Sequence, residues 1–190
     1  MRKIPTLFLR DPDDMRHLTR EINPAAAWVL TGEARATRKF DGVCHGLTST
    51  GRWLARREVK PGKPVPPNFE PLETDPETGK TVGWEPVEQS AFFKAFTAVA
   101  DVPTTPGTYE LCGPTVNRNP EHYDEHVLVP HGLFTLADVP LDYDELAAYL
   151  ADLQYEGVVW HGPFGPVAKI KRRDFMLTRP AAVTPRPGPR

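Results

Sequence analysis

Proline constrains this chain more than any other residue. It occurs 22 times in 190 residues, more than double the average usage of roughly 5%. Each proline fixes φ and removes a backbone N–H, so it ends helices and is kept out of central strands. The chain is therefore expected to build from short strands, many loops and few long helices. The segment from Lys60 to Pro86 carries prolines without sustained periodicity and reads as one long loop, a kind of segment that is usually functional.

At 190 residues one domain with a real core is the default. The expected organisation is a single domain over 1–177, followed by a Pro-rich, basic, disordered tail over 178–190. No apolar run approaches a membrane helix and the N-terminus does not read as a signal peptide, so no membrane association and a cytoplasmic location are expected. Cys44 and Cys112 are read as two reduced thiols that pack as small apolar side chains. The formal net charge is only −2, but the basic residues fall into three blocks. These are Arg35, Arg38 and Lys39; Arg52, Arg56, Arg57, Lys60 and Lys63; and Lys169, Lys171, Arg172 and Arg173. Brought together they would form a phosphate-binding face.

Periodicity places the elements coarsely. A strand is expected at Trp28–Leu30 and further strands through EARATRKF and VCHGL, with a hairpin turn at Thr50-Gly51 leading into RWLARREV. Phe92, Phe93, Phe96 and Val99 share one helix face, which predicts a helix over Glu88–Ala100. GTYELCGP and HVLVPHGLFTLADV read as strands. DYDELAAYLADL reads as a helix with acidic residues in its first turn, and YEGVVWHG and PVAKIKRRDFML as two short strands. Trp28, Trp53 and Trp160 are expected in the core. The fold class is α+β, with antiparallel or mixed sheets flanked by a few helices.

Several of these strands carry charge where burial would make it costly. Lys169 and Lys171 alternate with Ala168 and Ile170, so the two lysines share a face and would repel unless an anion such as a phosphate lies between them. Glu156 opens an apolar strand and needs a lysine or a metal ion as partner. Glu110 lies within another strand, between Tyr109 and Leu111. Lys39 precedes Phe40, Asp41 and Gly42. A lysine becomes a nucleophile when desolvation and neighbouring cations depress its pKa, and Lys169 and Lys171 are the candidate neighbours. His122, His126 and His131 would suit zinc if they lay on one helix, but Pro120 and the β-like HVLVPH argue against that. ETGKTVG lacks the upstream glycine of a phosphate loop and reads as a turn.

In order, KFDG (Lys39–Gly42), YELCGP (Tyr109–Pro114), EGVVW (Glu156–Trp160) and AKIKRR (Ala168–Arg173) resemble motifs I, III, IV and V of the covalent nucleotidyltransferases, closest to ATP-dependent RNA ligases. The resemblance implies a nucleotidyltransferase, ATP-grasp-like ligase domain. It also implies an enzyme that joins RNA 3′-hydroxyl and 5′-phosphate ends through a lysyl-AMP intermediate and an adenylated RNA end. By the same resemblance Lys39 is the nucleophile, and Asp41 and Gly42 belong to the nucleotide site. Glu110 contacts the ribose, Lys169 and Lys171 bind the α-phosphate, and Glu156 supports Mg²⁺ or Mn²⁺. LARREV resembles motif Ia, so Arg56 or Arg57 contacts the nucleotide or the RNA end, and Phe134 is the candidate to stack on the purine. No C-terminal OB domain is expected in this chain, and a protein partner could replace it. The alternatives are a GTP-dependent, capping-type guanylyltransferase and a non-catalytic nucleic-acid-binding accessory domain.

Overall fold

Antiparallel pairing dominates the residues that this computed structural model describes, 2–177. The segment 178–190, expected as a tail, lies outside the described residues. The strands are β1 (Phe8–Arg10), β2 (Leu18–Ile22), β3 (Arg35–Lys39), β4 (Val43–Leu47), β5 (Trp53–Val59), β6 (Glu70–Thr74), β7 (Thr81–Pro86), β8 (Gly107–Cys112), β9 (Val127–Pro130), β10 (Gly157–Gly162) and β11 (Gly165–Lys171). The α-helices are α1 (Phe93–Thr97) and α2 (Tyr143–Asp152). β6-β7-β5-β4-β8-β9 form a six-stranded sheet, β11-β10-β3 a three-stranded sheet, and β1-β2 a hairpin. The class is α+β, as the sequence implies.

Each of the two larger sheets covers its own apolar cluster. Ala36, Val158, Trp160, Ala168 and Ile170 of the small sheet pack against Leu146 and Leu150 of α2 and against Leu7 and Phe8. Leu47, Tyr109, Leu111 and Leu128 of the large sheet pack against Phe96 of α1, Val87 and Val116. The chain passes from β3 in the small sheet to β4 in the large one through Phe40–Gly42. Phe40 is buried beside Cys112 and Val129.

Four expectations need correction. Residues Pro24–Thr31 form a 3₁₀ helix, not a strand. The Asn23 side chain accepts the Ala25 N–H, Pro24 occupies the first turn, and Gly32 closes the end at φ 80°. Those are helix start and stop signals, and they outweigh the apolar run. The stretch Lys60–Pro86 is not one loop, because β6 and β7 form a hairpin within it. All five residues of β6 are exposed, so no alternation betrays it, and Pro71 sits on an edge strand where a missing N–H is tolerated. The helix expected over Glu88–Ala100 is broken. A 3₁₀ turn at Val87–Gln89 is followed by Ser90, whose hydroxyl accepts the Phe92 N–H, and α1 covers only five residues. Beyond Pro130, the strand read through HVLVPHGLFTLADV gives way to loop.

The helix over DYDELAAYLADL is present as α2. Asp142 caps its N-terminus by accepting the Asp144 and Glu145 N–H groups. At the other end the Arg172 guanidinium donates to the Leu150, Ala151 and Leu153 carbonyls. Carbonyls in the last turn lack the regular intrahelical partner, and that of Leu150 otherwise receives the Leu153 N–H at the C-cap, so the Arg172 guanidinium belongs to the scaffold and not to a phosphate-binding face.

Candidate active site

β10 lies between β3 and β11, and in this register Gly157 pairs with Lys39 on one side and with Lys171 on the other. Both lysines therefore project to the same face across a residue without a side chain. A Cβ at Gly157 would run into the Ile170 carbonyl oxygen and the Lys171 backbone, so glycine is required there. Glu156, immediately before β10, receives both ammonium groups. Lys39 Nζ donates to Oε2 at 2.5 Å and Lys171 Nζ to Oε1 at 2.5 Å. Lys39 Nζ also donates to the Phe40 carbonyl at 3.3 Å. The carboxylate that needed a partner has two, and Ala168 and Ile170 face the core while the lysines face away.

Burial would lower the Lys39 pKa, but Glu156, Glu110 and Asp41 outweigh it and hold the amine protonated above its ordinary range. The nucleophile expected with a depressed pKa is thus an ammonium in the ligand-free protein. The depression falls on its neighbours instead. Lys169 is pushed down to about 8 by burial and by the charges of Lys171, Lys39 and Arg56. Lys171 is lowered by burial and by Lys39. For Glu156, burial works upward, but the two ammonium groups win and hold it below the usual carboxylate range. A cavity of about 350 Å³ opens here, with Lys39, Asp41, Gly42, Tyr155, Glu156 and Lys171 in its wall. A larger cleft of about 770 Å³ lies against Lys169 and Lys171 and extends to Arg10 and Lys80.

The loop behind Lys39 is clamped. Arg38 lies over the rings of Phe40 and Tyr155, each centroid at 4.4 Å, and pairs with Glu121. The other Glu121 oxygen accepts the Asp41 N–H at 2.9 Å, and Asn117 donates to the Gly42 carbonyl at 3.0 Å. Glu121 thus holds residues on both sides of Lys39 and Phe40. Reading the sequence missed it, because a glutamate in an irregular segment carries no periodic signal.

On the large sheet, Cys44 of β4 pairs with Glu110 of β8. Glu110 Oε1 accepts the Gly42 N–H at 3.1 Å and Oε2 lies 2.9 Å from His131 Nε2. The register of β5 separates Arg56 from Arg57. Arg57 faces Glu85 at 3.4 Å, whereas Arg56 projects to the opposite face and its charge acts on Cys44 and Lys169. Phe134 is 46% exposed and meets Phe40 edge-on at 5.2 Å between centroids. The three basic blocks converge only in part. Lys39, Lys169, Lys171 and Arg56 come together, while Arg52 pairs with Glu70 and Arg172 caps α2. Of the histidines weighed for zinc, His126 meets Thr115 and His131 meets Glu110, so they do not form a common ligand set.

The family model for RNA ligase 1 matches residues 95–185, a span that contains Glu110, Glu156, Lys169 and Lys171. RNA ligase 1 of Danio rerio is 29% identical over 270 aligned positions, covering 96% of this chain and 83% of the relative. Its relatives are RNA ligases. RNA ligase 1 of Rattus norvegicus and that of Mus musculus are each 28% identical over 166 positions. In both, the match covers 67% of this chain and 48% of the relative, so the chain spans about half the length of the mammalian RNA ligases. Lys39 falls before the segment matched by the RNA ligase model, and the structure joins it to that segment through Glu156.

Proposed function

We propose that the protein is an ATP-dependent RNA ligase with a nucleotidyltransferase fold, in which Lys39 is the covalent nucleophile. The observation that carries this reading is the row Lys39–Gly157–Lys171 closed by Glu156, which sets one amine among anion-binding lysines at a cavity wall. The similarity to RNA ligases supports RNA ends as the substrate.

In the first step Lys39 Nζ, having released a proton, bonds to the α-phosphorus of ATP while the bond to the β-phosphate oxygen breaks and pyrophosphate leaves. A 5′-phosphate oxygen of RNA then displaces Lys39 from that phosphorus. Finally a 3′-hydroxyl attacks the RNA 5′-phosphorus, forms the phosphodiester and expels AMP. Lys169 and Lys171 offer positive charge to the α-phosphate, and Arg56 and Phe134 flank the nucleotide from the large sheet and its rim. The Glu156 carboxylate, with hard oxygen donors, suits Mg²⁺ or Mn²⁺, which would neutralise charge on the departing pyrophosphate. When Glu156 turns to another partner, Lys39 loses its strongest counter-charge, and burial pulls it toward the neutral amine.

Intact-mass measurement after incubation with ATP and Mg²⁺ tests this, beside GTP and a Lys39→Ala control. A gain of one AMP with ATP, absent in the control, is expected. A GMP adduct instead would favour the guanylyltransferase. No adduct from protein free of bound AMP would favour a binding domain.

A further inference from the structure

Three donors of different chemistry meet on the face of the large sheet that turns toward Lys39. Cys44 comes from β4, Glu110 from β8 and His131 from just beyond β9. One ligand atom from each lies within 4.8 Å of the others. We propose that Cys44, Glu110 and His131 form a binding site for a thiophilic divalent cation, with Zn²⁺ the ion that fits, and that occupation of this site blocks the nucleotide.

Thiolate, imidazole and carboxylate are the three donor types zinc takes in protein sites, and three protein ligands leave a fourth position open. At the usual bond lengths, donors around tetrahedral zinc stand roughly 3.5 Å apart. The set already lies within 4.8 Å, close to that spacing.

The donors are also held from behind, as metal ligands usually are. His131 Nδ1 lies 2.9 Å from Thr108 Oγ1, which fixes the ring and leaves Nε2 facing Glu110. The Gly42 N–H anchors the other Glu110 oxygen. The 2.9 Å contact between His131 Nε2 and Glu110 Oε2 places two donors side by side. The ion would take the place of the hydrogen between them, and Cys44 would release its thiol proton to solvent on binding. Mg²⁺, which prefers oxygen and octahedral geometry, has no use for the sulfur, so the site discriminates between the two ions.

The blocking effect rests on the proposed function, in which Glu110 contacts the ribose; the binding does not. Co²⁺ added to metal-free protein is the probe, because a thiolate ligand gives it a charge-transfer band. The band is expected in the wild type, displaced by one equivalent of Zn²⁺, lost in Cys44→Ser and retained in Cys112→Ser. His131→Gln, which keeps a polar side chain against Thr108, should weaken Zn²⁺ by more than about 100-fold, since loss of even an outer-shell partner costs about 10- to 100-fold. Absence of the band in folded wild-type protein, or its persistence in Cys44→Ser, overturns the site. In a second arm free Zn²⁺, buffered because ATP itself chelates it, is titrated into the Mg²⁺-supported adenylylation reaction at fixed ATP, where inhibition is expected in the wild type and is lost in Cys44→Ser. A band without any lysyl-AMP would keep the site and sink the ligase reading. Adenylylation indifferent to Zn²⁺ bound at Cys44 would sink the blocking role.

Discussion

Lys39 and Glu156 are separated by 117 positions in the chain and by 2.5 Å between Nζ and Oε2. The pairing of β3 with β10 creates that proximity, and it makes the carboxylate the group that decides whether the amine is charged. In Glu156→Gln the Lys39 pKa should fall, since burial then acts without its strongest opponent. NMR of reductively ¹³C-methylated protein reads this directly. A Lys39 pKa unchanged by the substitution would show that Glu156 does not control it.

Glu156 also predicts how stability depends on pH. Its folded pKa lies below the ordinary 4.5, so its contribution is present above that value and is lost as pH falls through the folded pKa. Denaturation midpoints measured from pH 7 down to pH 3 should decline less steeply in Glu156→Gln than in the wild type.

Lys169 should govern the alkaline limit of nucleotide binding. With a pKa of about 8 it loses its charge as pH rises through that value, whereas a bound phosphate would hold the proton. ATP affinity should therefore fall as pH rises above about 8. Lys169→Arg, which keeps its charge, should flatten that fall in isothermal titration. An equally steep fall in the variant would assign the titration elsewhere.

Register makes the two arginines of β5 unequal. Arg56→Ala should slow adenylylation by about 10-fold or more, the effect of losing one charge-assisted contact. Arg57→Ala should leave the rate nearly unchanged and act on stability instead, because it takes a partner from the buried Glu85 on the other face of β5. Single-turnover rates on both variants decide, and the reverse order would place the nucleotide on the other face.

Glu121 is expected to be a positioning residue. Its side chain is fully buried against Arg38, so Glu121→Gln leaves a guanidinium without its counter-charge and should cost about 3 kcal/mol in stability. If Glu121 also sets the Lys39 loop, the adenylylation rate at saturating ATP should drop further than KM rises. A loss of stability with normal kinetics would leave it a purely structural role.

Much of the site was legible because its residues interrupt regular patterns. Lysines alternating with buried Ala168 and Ile170, and Glu156 at the head of an apolar strand, announce charges that must find partners. The Pro24–Thr31 helix was legible too, through Asn23, Pro24 and Gly32, but its apolar run resembles a strand. β6 left no trace, because an exposed edge strand buries nothing.

By itself the sequence determined the α+β class, the strands that carry Lys39, Glu110 and Lys171, the strand that Glu156 precedes, and the need of those charges for partners, since periodicity and desolvation are local. Tertiary structure decided which partner each found. It set Lys39 and Lys171 on either side of Gly157, turned Arg56 toward the site and Arg57 away, assigned Arg172 to the end of α2, and brought His131 to Glu110 beside Cys44. Strand register and loop packing join residues far apart in the chain, and a shift of one residue in register would turn each strand's side chains to the other face.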